Sequence, residues 1–108
     1  MLAVIFEVEM NPGRGEDYFE LAGSLRPELE AIDGFISVER FQSVSNEGKY
    51  VSVSFWRDEE AVKTWREHAE HRLAQAQGKK EIFADFRIRV AEVIRDYTLA
   101  DSRARARA

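Results

Sequence analysis

Cysteine is absent from this chain of 108 residues. Without a thiol, the protein can form neither a disulfide nor a thiolate metal site, and it has no cysteine nucleophile. No stretch approaches the roughly 18 apolar residues that a membrane-spanning helix requires, and residues 1–10 lack the basic leader and cleavage site of a secretory signal. The glycines form no dinucleotide or flavin motif. These absences predict a cytoplasmic protein that does not use thiol chemistry.

An excess of positive charge is also missing, since the formal net charge is -4. Residues 101–108 hold one aspartate and three arginines and so carry +2, which leaves -6 on the rest of the chain. So acidic a body disfavours nucleic acid as a partner. We expect residues 99–108 to be a flexible basic tail, and a nucleic-acid-binding arm is the alternative.

Apolar residues make up 44% of the chain and aromatic residues 11%, which is enough to form one core, in a domain of residues 1–98. Hydrophobic periodicity predicts strands at 2–10, 35–44, 50–56 and 81–97, with helices at 18–32 and 58–77. Pro27 is expected to kink or split the first helix near Arg26. Asp58 is expected to cap the second helix and Gly78 to end it.

The resulting βαββαβ order is the ferredoxin-like α+β arrangement, in which two helices cover one face of an antiparallel sheet. The other face needs a different cover, and we expect Trp56 and Val93 to lie there. A second copy of the chain is the simplest cover, so the sequence predicts a homodimer. The unusual length of the last strand agrees with a sheet that extends towards a second subunit.

The second predicted helix has a narrow apolar stripe built largely of alanine. Ala61, Ala69, Arg72 and Ala76 lie within about 40° of Trp65 on a helical wheel. Small side chains on a core-facing stripe leave volume that something else must fill, because protein interiors are densely packed. The stripe predicts a ligand pocket beneath this helix. Alternatively, the space is filled by Trp65 together with sheet aromatics, namely Phe41, Phe55 and Phe86.

Both histidines, His68 and His71, flank this stripe. Imidazoles three residues apart can share a helix face, which suits a general base, a haem ligand or half of a metal site. The alternative is that they are partly solvated and hydrogen-bonded to Glu67 or a neighbouring strand. No dedicated metal site is predicted, since a third ligand would have to come from a distant carboxylate.

Three segments resemble the antibiotic biosynthesis monooxygenase (ABM) superfamily: Val51-Ser52-Val53-Ser54-Phe55-Trp56, Thr64-Trp65-Arg66-Glu67-His68, and Val90-Ala91-Glu92-Val93-Ile94-Arg95-Asp96-Tyr97. The resemblance covers residues 2–97. It implies a dimeric α+β barrel with one pocket per subunit between helices and sheet. It leaves the reaction open, because the superfamily includes quinone-forming oxygenases and haem-degrading enzymes.

The resemblance also implies site residues. Tyr50 and Trp65 fall where the quinone-forming oxygenase has its pocket tyrosine and tryptophan. Ala61, His71 and Asp85 replace an asparagine, a tyrosine and an arginine of that enzyme, although Arg87 lies on the same strand face as Asp85. In the haem-degrading branch Trp65 matches again, but Gln75 stands in the place of the haem-ligating histidine.

The sequence therefore predicts a cofactor-independent monooxygenase that oxidises an electron-rich aromatic or polycyclic molecule with dioxygen. His71 or His68 would act as the base and Trp65 as an apolar catalytic wall. The predicted substrate-binding residues are Tyr50, Arg87, Gln75 and Phe86. The alternatives are a non-enzymatic stress-response protein that binds haem or a lipophilic ligand, and a haem-degrading monooxygenase.

Overall fold

A computed structural model describes the backbone of residues 1–80 and 82–107, and the side chains of residues 1–75 and 82–106. In chain order the elements are β1 (Leu2–Met10), α1 (Gly15–Glu30), β2 (Phe35–Gln42), β3 (Lys49–Trp56), α2 (Glu59–Lys80), β4 (Phe83–Glu92) and α3 (Leu99–Arg107). The predicted βαββαβ order is confirmed, with α3 added after it.

The four strands form one antiparallel sheet in the order β2-β3-β1-β4, so β2 and β4 are its edges. Side chains alternate between the two faces along each strand. Val4, Phe6 and Val8 of β1 are buried against the helices, and Ile5 and Glu7 point to the other face. From these positions in β1, the register places the residues of β2, β3 and β4 either on the inner face, which the helices cover, or on the outer face.

The core has two parts, both between the sheet and the helices. One lies under α2 and contains Trp56, Trp65 and Ala69 with Val4 of the sheet. The other lies towards the start of α1 and contains Tyr18 and Phe83. Trp56 is 0% exposed, and its ring centre lies 6.3 Å from that of Trp65. Its predicted place on the uncovered face is therefore wrong, since Trp56 is the centre of the core under α2.

The helix ends show which local signals were interpreted correctly. The Ala61 backbone N–H donates to Asp58 Oδ1 at 2.9 Å, so Asp58 caps α2 as predicted. Gly78 does not end that helix, because the helical backbone continues to Lys80. Pro27 lies inside α1 without splitting it, and the helix continues to Glu30. Because Pro27 is close to the end of α1, only one further turn follows it, and its carbonyl still accepts from Ala31 N–H.

The predicted last strand extends too far, since β4 ends at Glu92. Glu81, its predicted first residue, lies outside the described residues. A register shift opposite Glu9 and Met10 interrupts the alternation of β4 at Ala84, so Phe83 is buried and Ala84 is exposed. A bulge has this effect because its extra residue reverses the faces of those that follow.

Residues 99–107 form helix α3, which the sequence analysis did not predict. Thr98 and Asp101 cap it reciprocally: Asp101 N–H donates to Thr98 Oγ1 at 3.2 Å, and Thr98 N–H donates to Asp101 Oδ2 at 2.9 Å. The Thr98 backbone N–H, and then the Thr98 hydroxyl, hold the pKa of the Asp101 carboxyl below its usual value. Residues 99–106 are exposed, and the division of the chain between residues 98 and 99 stays a prediction. In the described part of the chain, every helix is too short or too polar to cross a lipid bilayer.

Candidate functional site

A cavity of about 480 Å³ lies between α1, α2 and the inner face of β2 and β3. Its size falls within the usual range for small-molecule sites. It exists because inner-face positions of β2 and β3 hold small or polar side chains, which do not fill the space under α1. Those residues are Val38, Arg40, Gln42, Tyr50, Ser52 and Ser54.

Aromatic rings form one wall of the cavity. Tyr50 lies 5.3 Å from Phe19 in an edge-to-face arrangement and 5.8 Å from Tyr18, measured between ring centres. Phe6 and Trp65 also line the cavity. Rings that pack against one another in this way are held in fixed orientations, so the wall suits a flat apolar molecule.

Helices α1 and α2 supply the aliphatic wall, through Leu21, Ala22, Leu25 and Leu29 on α1 and Ala69 and Leu73 on α2. The space predicted beside the alanine stripe is therefore present at Ala69. At Ala61, by contrast, the stripe packs against the chain itself. A methyl group built on Gly34 would lie 2.7 Å from the Ala61 Cβ.

The polar groups of the cavity include two phenols that differ in burial. Tyr18 is 3% exposed, and burial raises the pKa of its hydroxyl to about 12, even though the charge of Arg40 acts to lower it. The Tyr18 hydroxyl is therefore neutral across the physiological range. Tyr50 is half-buried and lies on β3 beside Ser52 and Ser54 along the cavity floor.

Ser54 lines the cavity floor and also accepts a hydrogen bond from the core. The Trp56 indole N–H donates to Ser54 Oγ at 2.9 Å, and both residues are buried. This hydrogen bond satisfies a polar group in the core and orients the Trp56 ring, which in turn packs against Trp65. The shape of the cavity at Trp65 thus depends on the Trp56 ring and on its hydrogen bond to Ser54.

Arg40 is the cationic side chain that β2 contributes to the cavity. It lies on an inner-face position opposite Ser52, and its guanidinium carbon is 5.9 Å from the centre of the Tyr18 ring. Neither Arg40 nor Gln42 was predicted from the sequence as a site residue. The signal was present in β2, where polar residues alternate at positions that share a face with Val38.

The predicted site residues do not all lie together. Trp65 and Tyr50 line the cavity, and Trp65 is 8% exposed. Phe86 is on the inner face of β4, where its ring centre lies 5.8 Å from that of Phe6, but it is 52% exposed and is not among the described residues that line the cavity. Arg87 lies opposite Glu7 in the strand register, on the outer face of the sheet and away from the cavity.

His68 belongs to a polar cluster between the helices. Its Nε2 lies 3.3 Å from Glu28 Oε2 of α1, and the Arg72 Nε lies 3.5 Å from the same oxygen. All three atoms are shielded from solvent, although none of the contacts has the angle of a good hydrogen bond. His71 and Gln75 are exposed on α2 and, among the described residues, are not part of the cavity lining. The catalytic and binding roles of these residues stay predictions.

Haem is the cofactor that the resemblance makes relevant, and the described lining of this cavity offers its iron no histidine ligand. Both histidines are among the described residues, and neither lines the cavity. The buried phenol of Tyr18 resists the ionisation that a tyrosinate ligand requires. Among the described residues, no three histidine, aspartate or glutamate side chains are grouped as a metal site would need.

Comparison with known proteins decides the family. The family model described as "Antibiotic biosynthesis monooxygenase" matches residues 1–77. The chain belongs to the ABM family. This ABM domain is 45% identical over 93 residues to "Jasmonate monooxygenase ABM" of Pyricularia oryzae, a match that covers 86% of this chain and 43% of that protein. It is 34% identical over 62 residues to "Uncharacterized protein YqjZ" of Bacillus subtilis, covering 57% and 53% of the two chains.

The chain thus spans about half the length of the curated relatives it matches. Solved structures share the fold of this ABM domain at low sequence identity. Rv0793 from Mycobacterium tuberculosis has a TM-score of 0.76 at 20% identity, covering 90% of this chain and 98% of that one. A MhuD mutant with two manganese protoporphyrin IX bound per active site has a TM-score of 0.68 at 20% identity, covering 91% and 99%. The ABM resemblance and the ferredoxin-like fold are therefore confirmed.

Proposed function

We propose that this ABM domain is a cofactor-independent oxygenase that oxidises an electron-rich aromatic or polycyclic molecule with dioxygen. The observation that carries the proposal is the cavity of about 480 Å³, which combines an aromatic wall with hydroxyl groups on one side. Family membership supports monooxygenase chemistry, as does the name of the relative from Pyricularia oryzae.

The proposed reaction needs little from the protein. The substrate gives a proton to solvent water as it ionises to a phenolate or carbanion, which passes one electron to dioxygen. The two radicals combine to a peroxide anion, which takes up a proton, and its O–O bond then breaks. One oxygen atom enters the product as a new carbonyl, and the other leaves as water. The protein has to exclude bulk water, hold the ring and stabilise the substrate's oxyanion.

Tyr50 and Ser52 are the proposed donors to that oxyanion. Both lie on β3 and line the cavity floor, and donors fixed on a strand need no rearrangement when the charge develops. Tyr18 is a third donor in this scheme, since its raised pKa keeps the hydroxyl proton in place. Trp65 and Phe19 would hold the substrate ring between α1 and α2.

We place no proton transfer on His68 or His71. His68 lies beside Glu28 between the helices, and His71 is exposed on α2; neither lines the cavity. In this scheme the substrate ionises because the donors stabilise its anion. The competing prediction, a histidine base, requires His71→Ala or His68→Ala to lower the rate by roughly 10²-fold to 10⁴-fold.

Oxygen consumption with dithranol, an anthrone, tests the proposal. The wild-type chain should consume oxygen and form the corresponding quinone, and His71→Ala and His68→Ala should keep rates within about twofold of it. Ala22→Phe, which fills the cavity from α1, should abolish the activity, and Ala74→Phe on the exposed face of α2 is the matched control. Equal activity in both phenylalanine variants would mean that the reaction occurs elsewhere.

A ligand-binding protein without catalysis is the second candidate. It is favoured by the fact that neither histidine of the chain lines the cavity, so the commonest general base is missing from it. Tight binding of the anthrone without oxygen consumption would select this candidate. Haem as its ligand is disfavoured by the misfit described above.

We also propose that the outer face of the sheet pairs with a second copy of the chain. Ile5, Val51, Val53 and Phe55 share that face and are only half-buried in the single chain. Phe41, on the same face of the edge strand β2, is 45% exposed. Multi-angle light scattering at micromolar concentration should give twice the chain mass, and a monomer would contradict this pairing.

A cytoplasmic location stays a prediction.

A further inference from the structure

We infer that the ligand of this cavity is an organic anion, with an apolar body against the aromatic wall and a carboxylate held by Arg40. The inference rests on the proposed function only in using the same cavity. It adds a chemical class to the ligand, because a phenol or ketone would not need a permanent cation at this position.

Arg40 and Arg26 differ in their acidic partners. Two of the described arginines line the cavity. The second, Arg26, already has an acidic partner, since its Nε lies 2.9 Å from Glu30 Oε1. In the part of the chain that the structure describes, no carboxylate lies within ion-pair distance of Arg40. The Arg40 charge is therefore uncompensated by any described acidic side chain.

The surroundings of Arg40 are aromatic and neutral on the inner face of the sheet. Its guanidinium lies 5.9 Å from the centre of the Tyr18 ring, a contact that orients the planar group beside the aromatic wall. Glu39 also borders the cavity, but it alternates with Arg40 along β2 and pairs with Val53 on the outer face. The inner-face neighbours Gln42 and Ser52 are neutral.

The chemistry of the Arg40 side chain matches that of a carboxylate. A guanidinium presents parallel N–H donors that suit both oxygens of a carboxylate, and it remains charged at every physiological pH. The chain as a whole carries a net charge of -4, so the Arg40 guanidinium is a local positive site for an organic anion on a chain that is acidic on balance. Jasmonate, for which the relative from Pyricularia oryzae is named, is likewise a carboxylate.

The experiment compares 2-naphthoate with 2-naphthamide, two probes of nearly equal shape of which only the first is charged. Binding to the full chain is measured by isothermal titration calorimetry under argon at fixed salt, so that no oxygenation occurs. Because Arg40 is solvent-exposed, we expect about a tenfold preference for the acid. Arg40→Gln should remove the preference and leave 2-naphthamide affinity within about twofold.

Arg87→Gln is the matched control, since it removes the same charge from an exposed strand position on the outer face and should keep the preference. Arg26→Gln tests whether the other arginine of the cavity holds the acid instead. Equal affinity of the wild-type chain for both probes, or a preference that survives Arg40→Gln, would overturn the inference. Acid-selective binding without any oxygenase activity would leave this inference standing while the proposed reaction fails.

Discussion

The hydrogen bond between Trp56 and Ser54 allows a demanding test of how the cavity floor is built. Ser54→Ala removes the acceptor of the Trp56 indole N–H, which lies at 2.9 Å in a residue that is 0% exposed. A buried donor left without a partner costs roughly 1–3 kcal/mol. We expect a loss of about 2 kcal/mol in the free energy of unfolding, equivalent to roughly 10 °C in Tm for a domain of this size.

Ser52→Ala is the control, because Ser52 lies two residues away on the same strand face and donates no described hydrogen bond to the core. It should change the free energy of unfolding by less than about 0.5 kcal/mol. Urea unfolding followed by far-ultraviolet circular dichroism, at one fixed protein concentration, measures both variants without depending on tryptophan fluorescence.

The double-mutant cycle with Trp56→Phe isolates the pair. Once the indole N–H is gone, Ser54→Ala should cost about 1 kcal/mol less than it does in the wild-type chain. Equal costs in both backgrounds, or a cost for Ser54→Ala no larger than that for Ser52→Ala, would refute the role of this hydrogen bond.

Three further predictions concern the scaffold and are all measured as changes in Tm. Gly34→Ala should lower the stability by more than about 1 kcal/mol, because φ is 94° and the added Cβ would lie 2.7 Å from Ala61 Cβ. Gly23→Ala is the control: Gly23 lies in α1 with open space around it, so the added methyl group should raise the stability by up to about 1 kcal/mol. Asp58→Ala should lower Tm at pH 7, and the difference from the wild-type chain should shrink below about pH 4. The Ala61 N–H and then Arg57 hold the pKa of folded Asp58 below its usual value. The stability that Asp58 adds is therefore present above its unfolded-state pKa and is lost as pH falls through its folded-state pKa. Deleting residues 102–108 should leave Tm unchanged, since residues 102–106 are exposed; a large fall would show that α3 supports the fold.

Local sequence signals predicted the elements of this fold because each buried element repeats its apolar residues with the period of its own geometry. The alternation in β1 survives in the structure, with Val4, Phe6 and Val8 buried. The burial of Phe83 could not be obtained in this way, since it follows from a bulge at Ala84 that depends on pairing with β1. Helix α3 was missed although its signal, Thr98 followed three residues later by Asp101, is a local one.

The candidate site was harder to predict than the fold. Trp65 and Tyr50 could be identified from the resemblance, and both line the cavity. Arg40 depends on strand register and on the position of Tyr18 in α1, which are tertiary facts. His68 and His71 were attractive because they lie close together on one helix, but the orientation of α2 directs one to Glu28 and leaves the other exposed.

The location of the site is the central claim, and chemical-shift mapping by nuclear magnetic resonance tests it most directly. On titration with 2-naphthoate, we predict the largest shifts at Leu25, Arg40, Tyr50 and the Trp65 indole N–H, all of which line the cavity. Shifts concentrated instead at His71, Gln75 and Arg87, with the cavity residues unchanged, would contradict the account.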